Sequence, residues 1–164
     1  MKKTNKGVVK RAIVTPDKHF PLHDQKAINV VCKAIKIVKP DVYIDLGDTG
    51  EWNLFSNHHW RKYDKPPDDL LIPMLDKSVK QVNKGMDYID KFLDEVKCKE
   101  RYFMQGNHEE WLDLYAKKYS RPRFLTQNAL KLKERGYEYH PYNKKDNLKI
   151  GKLNYLDLAA RLLR

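Results

Sequence analysis

The feature that most constrains the fold is an alternation of short apolar runs with longer stretches of helical spacing. The run at residues 10–15 is rich in β-branched side chains and ends at Pro16, which is typical of a strand. Residues 24–38 follow with apolar side chains at helical spacing, which predicts a helix with Asp24 as its N-cap. A second strand is predicted at residues 41–46. The order strand, helix, strand predicts a right-handed crossover between two parallel strands.

A long helix is predicted beyond an irregular region at residues 50–70, which contains Pro66 and Pro67. Between Leu75 and Val96 the apolar side chains recur at steps of three and four positions, which places them along one side of a helix. This apolar stripe predicts packing against the protein core rather than against a separate partner helix.

The second half of the chain continues the alternation. Five further elements are predicted there, namely strands at 100–105, 137–140 and 147–153 and helices at 109–119 and 123–135. Gly136 is expected to end the second of these helices, because glycine adopts the left-handed conformation common at helix C-termini. Alternating strands and helices indicate an α/β fold. A length of 164 residues indicates one domain over residues 1–164.

Charge and hydropathy argue against a membrane protein. Charged residues make up 34% of the chain, and the mean hydropathy is −0.79. No apolar run approaches the roughly 20 residues that a membrane-spanning helix needs. The N-terminal stretch MKKTNKGVVKR is basic and lacks the apolar segment of a signal peptide. We therefore predict a cytoplasmic protein without a membrane partner, in which Cys32 and Cys98 remain free thiols.

Positive charge is concentrated in the second half of the chain. The net charge is +11, from 33 Lys and Arg against 22 Asp and Glu. Residues 115–149 hold ten Lys and Arg against three Asp and Glu, with six aromatic residues between them. Two interpretations stay open for this segment: a solvated helix face, or a surface that contacts the phosphates of nucleic acid.

A cluster of polar side chains follows each of the first three predicted strands. The clusters are Asp17 and His19 after the first strand, Asp45, Asp48 and Glu51 after the second, and Asn107, His108 and Glu109 after the third. Ligands of open α/β sheets bind beyond the carboxyl ends of the strands. We therefore expect the three clusters to meet at one edge of the sheet.

The residue types in these clusters suit a pair of divalent metal ions. Two ions about 3.5–4 Å apart can clamp a phosphoester, and they need a bridging carboxylate. Asp48 suits that role because Gly47 lets the backbone turn sharply beside the site. Asp17, His19 and Asn107 are the other predicted ligands. Mixed imidazole and oxygen donors favour Mn, Fe, Zn or Ni over Mg or Ca.

Further residues are predicted to support the ligands or to contact the substrate. His108 is predicted to donate a proton to the leaving oxygen. Glu51 and Glu109 are expected to hydrogen-bond to the metal ligands or to contact the substrate. Glu109 in particular is predicted to hold His108 or the adjacent loop. His58 and His59 follow the second cluster, where they either contact a substrate phosphate or belong to an exposed loop.

Taken together, the three clusters resemble the motifs of the calcineurin-like metallophosphoesterases. The matching segments are Asp17-Lys18-His19, Gly47-Asp48-Thr49-Gly50-Glu51 and Gly106-Asn107-His108-Glu109. The resemblance extends over about residues 8–150, and the chain is similar to versions of the family found in phage genomes.

This resemblance implies a fold, an activity and a role for each matching residue. The implied fold is a four-layer α/β/β/α sandwich, and the implied activity is hydrolysis of phosphomonoesters or phosphodiesters. Asp17 and His19 would bind the first metal ion, Asp48 would bridge the two ions, and Asn107 would bind the second. His108 would stabilise the transition state or protonate the leaving group.

The sequence departs from the family pattern after its third motif. The family has a lone histidine at a later strand end and a G-x-H or G-H-x-H motif near the C-terminus, whereas the one later histidine here is His140. We therefore expect an incomplete second sheet, incomplete metal ligation and impaired activity. Residues 153–164 are predicted to form an amphipathic helix that associates with a complementing C-terminal segment. The alternative is an inactive, truncated remnant that binds nucleic acid through its basic surface.

Overall fold

The computed structural model describes residues 10–141, 148–150 and 153–155. The strands are β1 (Ala12–Thr15), β2 (Val42–Asp45), β3 (Glu100–Met104), β4 (Tyr137–His140), β5 (Leu148–Ile150) and β6 (Leu153–Tyr155). The α-helices are α1 (Gln25–Val38), α2 (Asp68–Glu95), α3 (Asn107–Lys118) and α4 (Thr126–Ala129). Short 3₁₀ helices occur at Asn53–Phe55, His59–Arg61 and Pro122–Phe124.

Strands β1 to β4 form one parallel sheet in the order β1-β2-β3-β4. The α/β class and the parallel pairing of the first two strands are thereby confirmed. Because all four strands run in the same direction, their carboxyl ends lie along one edge. The polar clusters that follow β1, β2 and β3 therefore lie on neighbouring strand ends.

Helix α1 begins as the sequence predicts. The Asp24 side chain accepts hydrogen bonds from the backbone N–H of Lys26 at 2.7 Å and of Ala27 at 3.4 Å, which satisfies two donors of the first turn. The helix ends at Lys39, whose φ of 48° is left-handed. The N-cap prediction is confirmed.

Helix α2 is longer than the apolar stripe alone predicts. It begins at Asp68, directly after Pro67, and its first turn carries Asp68 and Asp69. Acidic side chains in a first turn are favoured by the positive end of the helix dipole. The helix start therefore lies within the region predicted to be irregular.

All three long helices pack on the same face of the sheet. Tyr43 of β2 and Phe103 of β3 belong to one buried cluster with Ile35 of α1, Leu93 of α2 and Leu112 of α3. Cys32 and Cys98 are buried in this cluster as free thiols, as predicted. Full burial of one such aliphatic or aromatic side chain contributes about 1.5–3 kcal/mol, so this face supplies most of the hydrophobic stabilisation.

The opposite face of the sheet packs against β5. Val42, Ile44 and Met104 form a second buried cluster with Leu148. Strands β5 and β6 pair with each other in antiparallel fashion. The order of layers is thus helices, parallel sheet and a small second sheet.

The single helix predicted at residues 123–135 is wrong. The segment contains a 3₁₀ turn and the one-turn helix α4, and then turns as far as Gly136. Lys131 adopts a left-handed φ of 53°, and Leu132 N donates to Gln127 O at 3.0 Å, a bond that closes helix α4. Gly136 has a left-handed φ of 77°, but it does not end a helix as predicted, because α4 ends at Ala129.

The predictions for the last part of the chain are also corrected. Within the strand predicted at 147–153, residues 148–150 form β5 and residue 153 begins β6, and these two strands pair in antiparallel fashion. Residues 147, 151 and 152 lie outside the described residues. Residues 153–155, predicted to begin a terminal helix, are strand β6. The rest of that predicted helix lies outside the described residues. Among the described residues, no helix combines the length and the apolar character that crossing a membrane requires.

Candidate metal centre

The loops after β1 and β2 are joined by backbone hydrogen bonds. Asp17 N donates to Gly47 O at 3.2 Å, and His19 N donates to Asp48 O at 3.0 Å. Leu46 N in turn donates to Thr15 O at 3.0 Å. The main chain therefore sets the relative positions of the first two polar clusters.

Three of the predicted ligands converge at these loops. Asp17, His19 and Asp48 each offer one ligand atom, and these atoms all lie within 4.8 Å of one another. His19 Nε2 lies 3.9 Å from Asp17 Oδ1. Two ligands of one ion, each about 2.0–2.2 Å from it, are at most about 4.4 Å apart. The set is thus close to the size of a coordination sphere, and its carboxylates and imidazole suit a transition metal.

A second group of potential ligands shares His19. It consists of His19, Glu51 and His108, whose ligand atoms also lie within 4.8 Å of one another. Glu51 Oε2 lies 3.1 Å from His19 Nδ1. A metal-binding histidine commonly donates its second ring nitrogen to a carboxylate, which fixes its tautomer and orientation. With Nδ1 held by Glu51, His19 presents Nε2 to Asp17.

His108 lies between the ligands and the helix that follows. Its ring is 4.7 Å from the ring of His19, edge to face, and 4.2 Å from that of Trp111 at an interplanar angle of 30°. Its Nδ1 is buried and has no well-aligned hydrogen-bond partner among the described residues. Burial lowers the pKa of His108, while the charges of Asp48 and Glu51 act in the opposite direction. The neutral imidazole is therefore favoured, and this form can bind a metal or accept a proton.

Glu109 holds the loop after β2 rather than His108. Its carboxylate is fully buried and accepts five N–H groups, namely those of Asp48 at 2.7 Å, Thr49 at 3.0 Å, Gly50 at 3.4 Å, Gly106 at 3.2 Å and the Trp52 indole at 3.1 Å. Burial and the Asp48 carboxylate raise the pKa of Glu109 to about 7, while the N–H donors of Trp52 and Asp48 oppose that rise. Glu109 thereby ties α3 to the Asp48 loop.

Two glycines allow the loops after β2 and β3 to approach closely. A Cβ on Gly47 would lie 2.3 Å from Gly106 N, and a Cβ on Gly106 would lie 2.3 Å from Asp48 Oδ1. Gly47 also has a φ of 88°, which favours glycine. His108 N donates to Asp48 Oδ1 at 2.9 Å across this contact. The glycines thus bring Asp48 against the start of α3.

The backbone is strained at three of the predicted ligands. Asp17, His19 and Asp48 have φ values of 45°, 48° and 47°, in the left-handed region that side chains other than glycine seldom adopt. Such outliers cluster at functional sites, where the surrounding structure holds them in place. Here the backbone bonds between the first two loops provide that support.

Three other predicted site residues, Asn107, His58 and His59, are not part of these two groups of potential ligands, and their predicted roles stay predictions. Asn107 is the first residue of α3, and its role as a ligand stays a prediction. His58 is exposed, and the ring of His59 packs on that of Trp60 at 4.5 Å. Neither they nor His140 belongs to a group of potential ligands in the described part of the chain. Contact of His58 or His59 with a substrate stays a prediction.

Sequence reasoning missed a buried ion pair beneath the ligands. Lys18 Nζ donates to Asp45 Oδ1 at 2.7 Å, and both side chains are almost fully buried. Asp45 Oδ1 also accepts from Gly47 N at 3.1 Å and from Thr49 Oγ1 at 2.9 Å. A lysine between two predicted ligands gives no sequence signal of burial, because charged residues of this kind are usually exposed.

The site therefore joins Asp17, His19, Asp48, Glu51 and His108 at the carboxyl edge of the sheet. Its donor set and the orientation of His19 fit a divalent transition metal. Comparisons of this chain with protein-family models, with curated proteins and with solved structures found no match.

Proposed function

We propose that this chain is a hydrolase of phosphoesters that depends on two divalent metal ions. The observation that carries the proposal is the convergence of Asp17, His19 and Asp48, whose ligand atoms lie within 4.8 Å of one another on neighbouring strand ends. The carboxylate of Glu51 on His19 Nδ1 supports it, because this arrangement is typical of metal-binding histidines.

The proposed family is that of the calcineurin-like metallophosphoesterases. The packing of helices on one sheet face and of β5 on the other is consistent with the first three layers of their α/β/β/α sandwich. Asp17 and His19 would hold one ion, Asp48 would bridge, and Asn107 would hold the second. Mn, Fe, Zn or Ni suits this mixed donor set.

The residues of the chain have separate tasks in this proposal. Bound ions would supply Lewis-acid polarisation of the phosphoryl group and a water molecule of lowered pKa. His108 would protonate the leaving oxygen; because burial lowers its pKa, its imidazole would have to take up a proton before it donates one. Glu51 orients His19, and Glu109 fixes the backbone of the Asp48 loop.

The test combines metal binding with hydrolysis. Mn²⁺ should raise the melting temperature of the wild type and support hydrolysis of bis-p-nitrophenyl phosphate, and EDTA should abolish both effects. Asp48→Ala should lower Mn²⁺ affinity in calorimetry by more than about 100-fold. Asp76→Ala is the matched control, because it removes a carboxylate whose exposed pair with Arg123 contributes little.

Two results would contradict the proposal. One is Mn²⁺ affinity in the Asp48→Ala variant equal to that of the wild type. The other is hydrolysis that persists unchanged in EDTA. The alternative function is nucleic-acid binding without hydrolysis, and it is favoured by the ten Lys and Arg against three Asp and Glu in residues 115–149. Binding driven by charge would survive EDTA and weaken with salt.

A further inference from the structure

A groove runs along α3 beside the candidate metal centre. Trp111, Leu114, Lys118 and Tyr119 line it from the helix side, and Asn57 lines it from the loop after β2. Positions 111, 114 and 118 fall on one side of a helix because they are three and four residues apart. The groove has a volume of about 210 Å³. This is below the roughly 300–1,000 Å³ of pockets that enclose a drug-sized ligand, so it suits one planar ring system.

One end of the groove touches the candidate site. The ring of Trp111 stacks on that of His108 at a centroid distance of 4.2 Å. The ring of His108 in turn contacts that of His19 at 4.7 Å. A molecule that lies in the groove against Trp111 therefore lies next to the proposed reaction site.

Two lysines lie at the other end of the groove: Lys118 lines it, and Lys65 lies beside it against the lining residue Tyr119. Lys65 Nζ donates to the Tyr119 hydroxyl at 2.9 Å and lies 4.4 Å from the centre of the Tyr119 ring. Lys118 Nζ lies 5.2 Å from the same ring. Both lysines lower the pKa of the Tyr119 phenol. Each ammonium group keeps free donors for an anion.

These cations differ from the arginines nearby. Arg121 pairs with Asp68, and Arg123 pairs with Asp76. Within residues 10–141, no ion pair includes Lys65 or Lys118. The positive charge of the groove is thus available to a ligand, whereas that of the arginines is largely neutralised.

We propose that this groove binds a single-stranded polynucleotide. An aromatic surface with unpaired cations matches single-stranded nucleic acid, whose bases stack on aromatic rings while its phosphates lie against lysines. A duplex fits less well because its bases are already stacked and paired. The proposal rests on the proposed hydrolase function for the reaction of the strand, but binding itself requires no metal.

The test measures binding without chemistry. A short fluorescein-labelled oligothymidylate is titrated with the full chain in excess EDTA, and anisotropy gives the dissociation constant over a salt series. Affinity should fall as salt rises. Lys118→Glu and Tyr119→Leu should each weaken binding about tenfold, the first through charge and the second through lost stacking. Lys33→Glu is the matched control, because Lys33 is exposed on α1.

A second probe separates stacking from charge. An oligomer of the same length made of abasic residues carries the same phosphates without bases, and it should bind about tenfold more weakly. Lys118→Glu changes an exposed side chain and should preserve the fold, which circular dichroism checks.

Three results would overturn the groove assignment: equal affinity for the abasic oligomer, an equal loss in Lys33→Glu and Lys118→Glu, or duplex binding as tight as single-strand binding. These outcomes are distinct from failure of the proposed function. Oligothymidylate binding without metal-dependent hydrolysis would overturn the hydrolase and keep the groove. Hydrolysis of bis-p-nitrophenyl phosphate without oligonucleotide binding would overturn the groove assignment and leave the proposed hydrolase function standing.

Discussion

Replacing Gly106 with alanine tests whether the close approach of two loops builds the metal centre. A Cβ at this position would lie 2.3 Å from Asp48 Oδ1 and 2.5 Å from Asp48 N. Because ordinary van der Waals contact begins near 3.4 Å, Asp48 would have to move by about 1 Å. Gly106 has φ −86° and ψ 176°, which alanine adopts without strain, so the effect is steric. Overpacking of this kind costs about 1–3 kcal/mol.

The same displacement should impair the site far more than the fold. A shift of about 1 Å in a reacting group can reduce activity about 100-fold, and we expect a loss of that order in hydrolysis with Mn²⁺. Calorimetry with Mn²⁺ and urea unfolding measure metal affinity and stability separately.

The matched control is Gly136→Ala. In the described part of the chain, a Cβ at Gly136 meets nothing within 4 Å, but the φ of 77° is strained for alanine. This control should lose about 1–2 kcal/mol of stability and keep its Mn²⁺ affinity. A folded Gly106→Ala variant that binds Mn²⁺ as tightly as the wild type would refute the steric reasoning.

Two further substitutions test the surroundings of the ligands. Glu51→Gln should weaken Mn²⁺ binding about tenfold in calorimetry because His19 loses the carboxylate on its Nδ1, and unchanged affinity would show that Glu51 does not orient the ring. Lys18→Met leaves the buried Asp45 carboxylate without its cation and should lower the free energy of unfolding in urea by about 3–5 kcal/mol. Adding Asp45→Asn should recover part of that loss, and a double variant less stable than Lys18→Met would contradict this account.

The sequence predicts an element well when its signals are local. Asp24 and the apolar spacing that follows define α1, and the structure has the helix where these signals place it. The three polar clusters meet because parallel strands share a carboxyl edge, which follows from topology alone. The convergence of Asp17, His19 and Asp48 was therefore predictable, although the distances between them were not. The second group of potential ligands was not predicted, because Glu51 and His108 were expected in other roles.

The segment predicted as a helix at 123–135 shows where local signals fail. Helix α4 ends because Lys131 adopts a left-handed conformation. The sequence does not predict this end, because residue 131 is not a glycine. Two side chains then bind the freed carbonyls: Asn83 Nδ2, from helix α2, donates to Ala129 O at 2.9 Å, and Arg135 Nε, from the same segment, donates to Leu130 O at 2.9 Å. One tertiary and one local side-chain hydrogen bond thus replace backbone bonds that would have continued the helix.

The hydrogen bonds and ion pairs that hold the loops of the site in place were only partly predictable, because some of them join residues far apart in sequence. The interpretation of Glu109 as a partner of the adjacent loop agrees with its bonds to residues 48–50. The bond from Gly106 N is local, because a glutamate three residues after an N-cap commonly accepts from the N-cap backbone N–H. The bond from the Trp52 indole has no such local signal, because Trp52 precedes Glu109 by 57 positions. The burial of Lys18 likewise depends on Asp45, which follows it by 27 positions.

The left-handed backbone at Asp17, His19 and Asp48 has a consequence for how this chain can change. Each such residue costs about 1–2 kcal/mol relative to glycine, which adopts the same φ freely. Selection for thermal stability alone would therefore favour glycine at the three positions, and each replacement would remove a potential metal ligand. Stability and ligand content are opposed at this edge of the sheet. A homologue with glycine at these three positions would be more stable, but it would lack the side chains that could bind a metal ion.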